Sequence, residues 1–224
     1  MKANLVLYGL KFDYTGFFAR ATAFLLGKFN GESFSCHSKS GGQNLWLPFK
    51  EDVGLKVFHP KGFSGTLDKA KIHFEDQNLL AEKELSPKPL EMFEINLSFV
   101  KPVAIIPDWQ CYGITMKRVL SGGVTQISRN LELFGVESNQ QTHAIIESWV
   151  NWYGSGALTL ADYMVLCRYF GGVSEEKRLK EIIDDLKNRM PPAFSKAPDL
   201  LSWPNVVLNK NGEAKVIDCD LSRN

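Results

Sequence analysis

Long apolar runs are missing from this 224-residue chain. Leu5 to Leu10 and Phe17 to Leu26 are apolar, but Lys11, Asp13 and Arg20 interrupt them. No stretch reaches the roughly 18–20 residues that span a bilayer. A charged, then apolar, then small-residue series of the kind that marks a secretion leader is also missing from the N-terminus. Cysteines are few: Cys36, Cys111, Cys167 and Cys219 are widely spaced, form no CxxC pair and share no ligand spacing with the four histidines. A structural zinc site is therefore not expected. An excess of one charge is missing too, with 26 Lys and Arg against 25 Asp and Glu. A net charge of +1 gives no electrostatic reason to expect nucleic acid or an anionic membrane as the main partner, although a local basic groove stays open. No internal repeat or low-complexity stretch occurs. The expectation is a chain without a membrane span, in a reducing cytoplasm.

What is present is core-forming material. Hydrophobic residues make up 44% of a 25.2 kDa chain, enough for one domain or two small lobes. Residues 14–26 read as an amphipathic helix. Ser33 to Ser38, Asn44 to Phe49 and Gly54 to His59 read as short strands, with turns at Lys39 to Gly42 and Lys50 to Asp52. Leu67 to Glu84 is a helix, stopped by Pro87 and Pro89. Strands follow at Leu90–Val100, Val103–Ile106 and Gln110–Val119, with a turn at Pro107-Asp108. Helices are predicted at about 124–134, 139–152, 159–170 and 174–190, the last one capped by Ser174 and ended by Pro191-Pro192. The order of elements is α+β with two lobes.

The last twenty residues carry the most specific pattern. A strand from Asn205, a turn at Asn211-Gly212 and a second strand into Asp218 make a hairpin, and Asn-Gly suits a two-residue type I′ turn. Asn205 and Asp218 lie thirteen positions apart at its two ends. An amide and a carboxylate held on one rigid element suit a hard cation such as Mg²⁺, which takes oxygen ligands and keeps phosphates and waters in its shell. An ordinary surface hairpin ending in a solvated acidic cluster would carry the same residues.

Two further residues invite a charge pairing. Val53-Gly-Leu-Lys56-Val-Phe places a lysine inside an apolar strand, where burial demands a nearby anion. A lysine on the polar face fits the alternation equally. Glu75, nineteen residues later, shares a helix stripe with Ile72 and Leu79 and is the expected partner, with Asp76 and Glu82 as fallbacks.

In their order and spacing, Lys56, Glu75, Asn205 and Asp218 resemble the protein-kinase-like superfamily over about residues 30–220. The resemblance implies a two-lobed fold. A small β-rich N-terminal lobe (1–119) would hold the leading helix, an antiparallel sheet and one helix. A reduced helical C-terminal lobe (120–224) would hold the hairpin. It implies that Lys56, held by Glu75, meets the ATP phosphates, and that Asn205 and Asp218 bind Mg²⁺. Cys111 to Gly123, with Met116, is similar to the strand and hinge that bind the adenine edge. Gly31-Glu-Ser33-Phe-Ser35 resembles the tip of the phosphate-covering loop, and Ser38 to Gly42 is the other candidate.

The pattern departs from the family in the catalytic loop. Ala197-Pro-Asp199-Leu200 replaces His-Arg-Asp-Leu, and Asp199 lies six residues before Asn205 where the family has five. Either the loop carries one extra residue and Asp199 is the catalytic base, or the base is missing and Leu200 stands in its place. Asp218-Cys-Asp220 replaces Asp-Phe-Gly, as in small-molecule kinases of the superfamily. With only six residues after Asp218, the resemblance implies a minimal, atypical kinase.

The expected function is ATP- and Mg²⁺-dependent phosphotransfer to an unidentified acceptor hydroxyl, on a protein or a small molecule. The alternatives are a pseudokinase acting as a binding or regulatory module, and an unrelated interaction protein using Trp149, Trp152 and Tyr153 as a partner surface.

Overall fold

The computed structural model describes residues 1–8, 22–40, 44–60, 65–100, 105–153, 158–171, 175–195 and 200–218. The chain is α+β and forms two compact units, Met1–Asp76 with Lys88–Arg118, and Gln77–Pro87 with Val119–Asn224.

The first unit is a closed seven-stranded barrel. Its strands are β1 (Lys2–Tyr8), β2 (Thr22–Phe29), β3 (Glu32–Ser40), β4 (Asn44–Leu47), β5 (Val53–Phe58), β6 (Pro89–Val100) and β7 (Ile105–Lys117), in the order β1-β2-β3-β4-β5-β7-β6. Neighbours are antiparallel except at the closing seam, where β1 runs parallel to β6 from Lys2↔Glu94 to Tyr8↔Val100. The period-two alternation of a sheet with one buried face is visible in β1, with Ala3, Leu5 and Leu7 inside, and in β6, with Phe93, Ile95, Leu97 and Phe99 inside. Strand β5 breaks that rule and is buried from Gly54 to Phe58. Leu55 and Val57 fill the barrel, while Phe58 and Ile114 pack outside it with Ala70 of helix α1 (Leu67–Glu82).

Four sequence expectations change. The helix expected at 14–26 is strand β2 from Thr22 onward, because Leu25, Gly27 and Phe29 alternate into the barrel; 14–21 lies outside the described residues. The sheet is not purely antiparallel, since β1 closes it in parallel. Pro107-Asp108 is not a turn. Leu97 pairs with Trp109 and Phe99 with Ile106, so β7 carries one extra residue there, and the proline sits at a bulge within one long strand. The type I′ turn is real but lies elsewhere. Asn30 (φ 50) and Gly31 (φ 86) form the two-residue link between paired Phe29 and Glu32.

In the second unit, α2 (Val124–Glu132), α3 (Gln140–Tyr153), α4 (Leu160–Phe170), α5 (Glu175–Arg189) and the four-residue α6 (Pro192–Ser195) contribute to one core with a hairpin of β8 (Val206–Leu208) and β9 (Ala214–Val216). The helix before Pro191-Pro192 ends at Arg189, as a double proline requires, and Pro192 opens the next short helix. The expected cap Ser174 lies outside the described residues. Among the described residues, no helix is long and apolar enough to cross a membrane.

One helix end is strained. Leu85 N–H bonds Leu80 O at 2.9 Å, and Glu84 takes a left-handed conformation (φ 57) where α2 and α4 are followed by Gly135 and Gly171. Replacing Glu84 by glycine removes the Cβ cost while adding some chain entropy to the unfolded state. Glu84→Gly is therefore expected to stabilise the protein by about 0.5–1 kcal/mol, read as a raised urea midpoint at unchanged slope. An unchanged or lowered midpoint contradicts it.

Candidate functional site

In the second unit the site is built on the C-terminal hairpin. Val206, Val207, Leu208 and Val216 are all fully buried, so the hairpin is an interior element and not a surface flap. The turn differs from the expected one. Asn211 is not among the positive-φ residues, which excludes type I′. Instead Gly212 N–H bonds Asn209 O at 2.9 Å, Gly212 has φ 78, and Asn209 N–H bonds Glu213 O at 2.9 Å, giving a three-residue loop. The Asn209 side chain sets it by accepting from the N–H groups of Asn211 (2.8 Å) and Glu213 (2.9 Å).

Both strands are pinned. Ser121 Oγ donates to Leu208 O at 2.9 Å and accepts from Leu158 N–H at 2.8 Å. Asn130 Nδ2 donates to the buried Tyr163 hydroxyl at 2.9 Å and reaches Asn209 O at 3.5 Å. On the other strand, Val216 N–H bonds Leu85 O at 2.8 Å, Ser86 Oγ donates to Val216 O at 2.8 Å, and Lys215 Nζ donates to Glu84 O at 2.5 Å. Gln77 Nε2 in turn donates to Ser86 Oγ and, at 3.2 Å, to Pro87 O.

This clamping acts on the hairpin's open end. Val206 pairs with Val216, and Ile217 N–H bonds Asn205 O at 2.8 Å, so Asn205 stands opposite Ile217 at the open end and Asp218 is the next residue beyond that pair. Asn205 ends a short 3₁₀ turn (Trp203–Asn205), its N–H bonded to Ser202 O at 2.9 Å. Both residues are half-buried. An amide and a carboxylate offer oxygen ligands of the kind Mg²⁺ takes. Among the described residues, no three His, Cys, Asp or Glu side chains gather as a self-sufficient metal site.

Asp199 lies outside the described residues. Leu200, its neighbour, is core, so no polar group stands at the family's nominal spacing. Trp149 packs against the same core and is half-buried; the side chains of Trp152 and Tyr153 lie outside the described residues.

In the first unit Lys56 is 3% exposed. Its β5 neighbours Leu55 and Val57 face the barrel interior, so alternation turns Lys56 outward under α1. Lys56 Nζ lies 3.3 Å from His73 Nε2. Glu75 is exposed and is not the buried carboxylate of this helix; Asp76, one of the fallbacks, is 5% exposed. The stripe that nominated Glu75 faces outward, with Ile72 and Leu79 about two-fifths exposed, while α1 buries Ala70, His73, Asp76, Gln77 and Leu80. A helix that buries polar groups and exposes apolar ones misleads any reading from its pattern. His73 was missed for that reason. The available signal was its place seventeen residues after Lys56, one turn before Asp76.

The other candidates are placed apart from Lys56. Gly31 and Ser33 belong to the β2–β3 turn, where Asn30 N–H bonds Asn4 O and Asn4 N–H bonds Asn30 Oδ1, both at 2.9 Å. Lys56 pairs with Trp46, and Trp46 with Lys39, so Ser33 is six residues along β3 from the Lys56 row, about 20 Å. The register does not bring that turn to Lys56. The Ser38 to Gly42 candidate begins beside that row, but 41–43 lie outside the described residues. Met116 is buried in β7, opposite Gly54 and Pro89. Lys117 N–H bonds Lys88 O and Arg118 N–H bonds Asp52 O, both at 2.9 Å, so these two N–H groups are already committed within the first unit.

Comparison with protein-family models, with curated proteins and with solved structures finds no match.

Proposed function

We propose that the chain is an atypical, kinase-like phosphotransferase that uses ATP and Mg²⁺ to modify an acceptor hydroxyl on a protein or a small molecule. The observation that carries this reading is the interior hairpin whose open end carries both Asn205 and Asp218, with Asn205 opposite Ile217 (Ile217 N–H to Asn205 O at 2.8 Å) and Asp218 one residue on. Support comes from the order of elements along the chain. A strand with a buried lysine leads to a helix, two paired strands, a helical unit and the acidic hairpin.

In this reading Asn205 and Asp218 hold the metal, which when bound neutralises charge on the phosphates. Lys56 supplies a fixed cation for phosphate oxygens, and Asp199 orients or deprotonates the acceptor hydroxyl. The work of the chain is then positioning and charge stabilisation. A pseudokinase is favoured by one observation: Lys56 is enclosed beneath α1 with its ammonium on His73.

The test is thermal unfolding with ATP, with Mg²⁺ and with both, for the natural chain and Asp218→Ala. A ligand at about 100 times its Kd adds roughly 2.7 kcal/mol, several degrees for a chain this size. A shift that needs both ligands and disappears in Asp218→Ala is the expected result. No shift with any nucleotide sinks the reading.

A further inference from the structure

We infer that Asn211 is a site of spontaneous modification, converting through a cyclic imide to aspartate and isoaspartate, and that Asn30, in the same Asn-Gly setting, is protected. The chain contains two Asn-Gly pairs, Asn30-Gly31 and Asn211-Gly212. Glycine leaves its own backbone nitrogen least shielded, so both pairs are chemically predisposed. Both asparagines are exposed and both stand in hairpin loops, so neither exposure nor loop position separates them. Hydrogen bonding does.

The reaction needs no partner except water. The Gly212 nitrogen gives up its proton to solvent and bonds to Asn211 Cγ. The side-chain nitrogen leaves as ammonia, which closes the imide ring. Water then opens the ring on either side of the nitrogen. Opening at Cγ leaves aspartate. Opening at the main-chain carbonyl leaves isoaspartate, whose chain runs through Cβ and Cγ and is one carbon longer. The carboxamide must therefore be free to swing over the nitrogen that follows it.

At Asn30 it is not free. Its Oδ1 accepts the Asn4 N–H at 2.9 Å and its own N–H donates to Asn4 O at 2.9 Å, so side chain and main chain are both fastened to β1. Asn30 (φ 50) is also held in the tight link between paired Phe29 and Glu32. At Asn211 the main chain is held but the carboxamide is not. Its N–H donates to Asn209 Oδ1 at 2.8 Å, yet among the described residues its side chain has no hydrogen-bond partner. The restraint falls on the attacking nitrogen instead: Gly212 N–H donates to Asn209 O at 2.9 Å. That bond closes a loop whose Lys210 and Asn211 are exposed, the kind of segment that opens locally at little cost. The Asn209 side chain is the brake, because it also accepts from Glu213 N–H at 2.9 Å and so holds the loop shut.

The test is ageing in mildly alkaline buffer, with each site followed by peptide mass spectrometry against synthetic isoaspartyl standards. In guanidinium, where local chemistry alone acts, the two sites should react at similar rates. In the folded protein Asn211 should react about tenfold faster than Asn30 or more, the factor that one net hydrogen bond makes. Equal rates, a faster Asn30, or a folded Asn211 that stays intact while the unfolded chain reacts overturns the assignment. Asn209→Ala should speed Asn211 severalfold and leave Asn30 unchanged; a rise at both sites, or at neither, overturns the brake. The longer isoaspartyl chain has to fit the short span between Leu208 and Ala214, so the aged protein should unfold at a lower midpoint than Asn211→Asp, which carries the new charge alone. Equal midpoints overturn that consequence for the hairpin.

Discussion

Gly113→Val is expected to lower the unfolding midpoint by roughly 10 °C, the effect of about 3 kcal/mol or more in a chain of this length. Gly113 lies between Val57 and Phe93 in one row of the barrel, and both neighbours point inward. A barrel interior is filled by side chains, so a row with two large residues leaves space for none at the third. A Cβ at this position would lie 2.5 Å from Ile95 Cδ1, 2.9 Å from Lys56 O and 3.4 Å from Leu55 Cδ1. The side-chain contacts can yield by rotation. The Lys56 carbonyl can yield only if β5 moves, and with it the lysine of the candidate site. Gly113→Ala, with one added carbon, should cost less, in the range of about 1–3 kcal/mol. An unchanged midpoint in Gly113→Val by calorimetry rules out the filled row.

Stability should fall steeply above pH 9. Burial pushes the Cys111 thiol up from 9.0 to about 12, and burial does the same for Cys36, with the Arg118 charge opposing it slightly. Burial also raises the Tyr163 hydroxyl from 10.0 to about 12, against its hydrogen bond from Asn130. In each case the folded state holds its proton where the unfolded chain has lost it. The unfolded state then binds fewer protons, so stability is complete below the unfolded pKa and is lost as pH rises toward the folded one. Cys111, 1% exposed, carries a three-unit difference worth on the order of 4 kcal/mol over that range. Urea unfolding between pH 8 and 11 should show a declining midpoint from about pH 9, flatter in Cys111→Ala. A midpoint that stays level to pH 11 contradicts the burial of these groups.

Sequence pattern located most elements because their burial follows simple periods. Strands β3 to β6 and helices α1 to α5 stand where alternation, capping residues and prolines put them. Chain-local signals failed where the competing information was long-range. Thr22 to Leu26 reads as helix until β3 pairs along all of it and β1 joins from Leu26 onward. Asn-Gly occurs twice, and only at Asn30-Gly31 does the strand register leave two residues to turn; at Asn211-Gly212 the Asn209 side chain organises a longer loop. In the candidate site, Asn205 and Asp218 were readable because one hairpin carries both. Lys56 was readable as a lysine in an apolar strand. Its contact with His73 was not, because α1 hides His73 and shows Ile72 and Leu79 to solvent. That inversion makes sense only with the barrel wall beneath it.

The parallel seam of the barrel also dictates a time order. Lys2 meets Glu94, so the ring closes across 92 positions of chain, whereas β2 and β3 are joined by a two-residue link. Local hairpins can form as soon as their residues exist, but ring closure must wait for the strand at Pro89–Val100 and meet a larger loop-entropy cost. Until then β1 and the growing end of the sheet are both open edges, able to pair with another chain. The finished barrel removes those edges only once β7 has joined β5 to β6, so the period of greatest exposure to misassembly lasts until Lys117 has been placed.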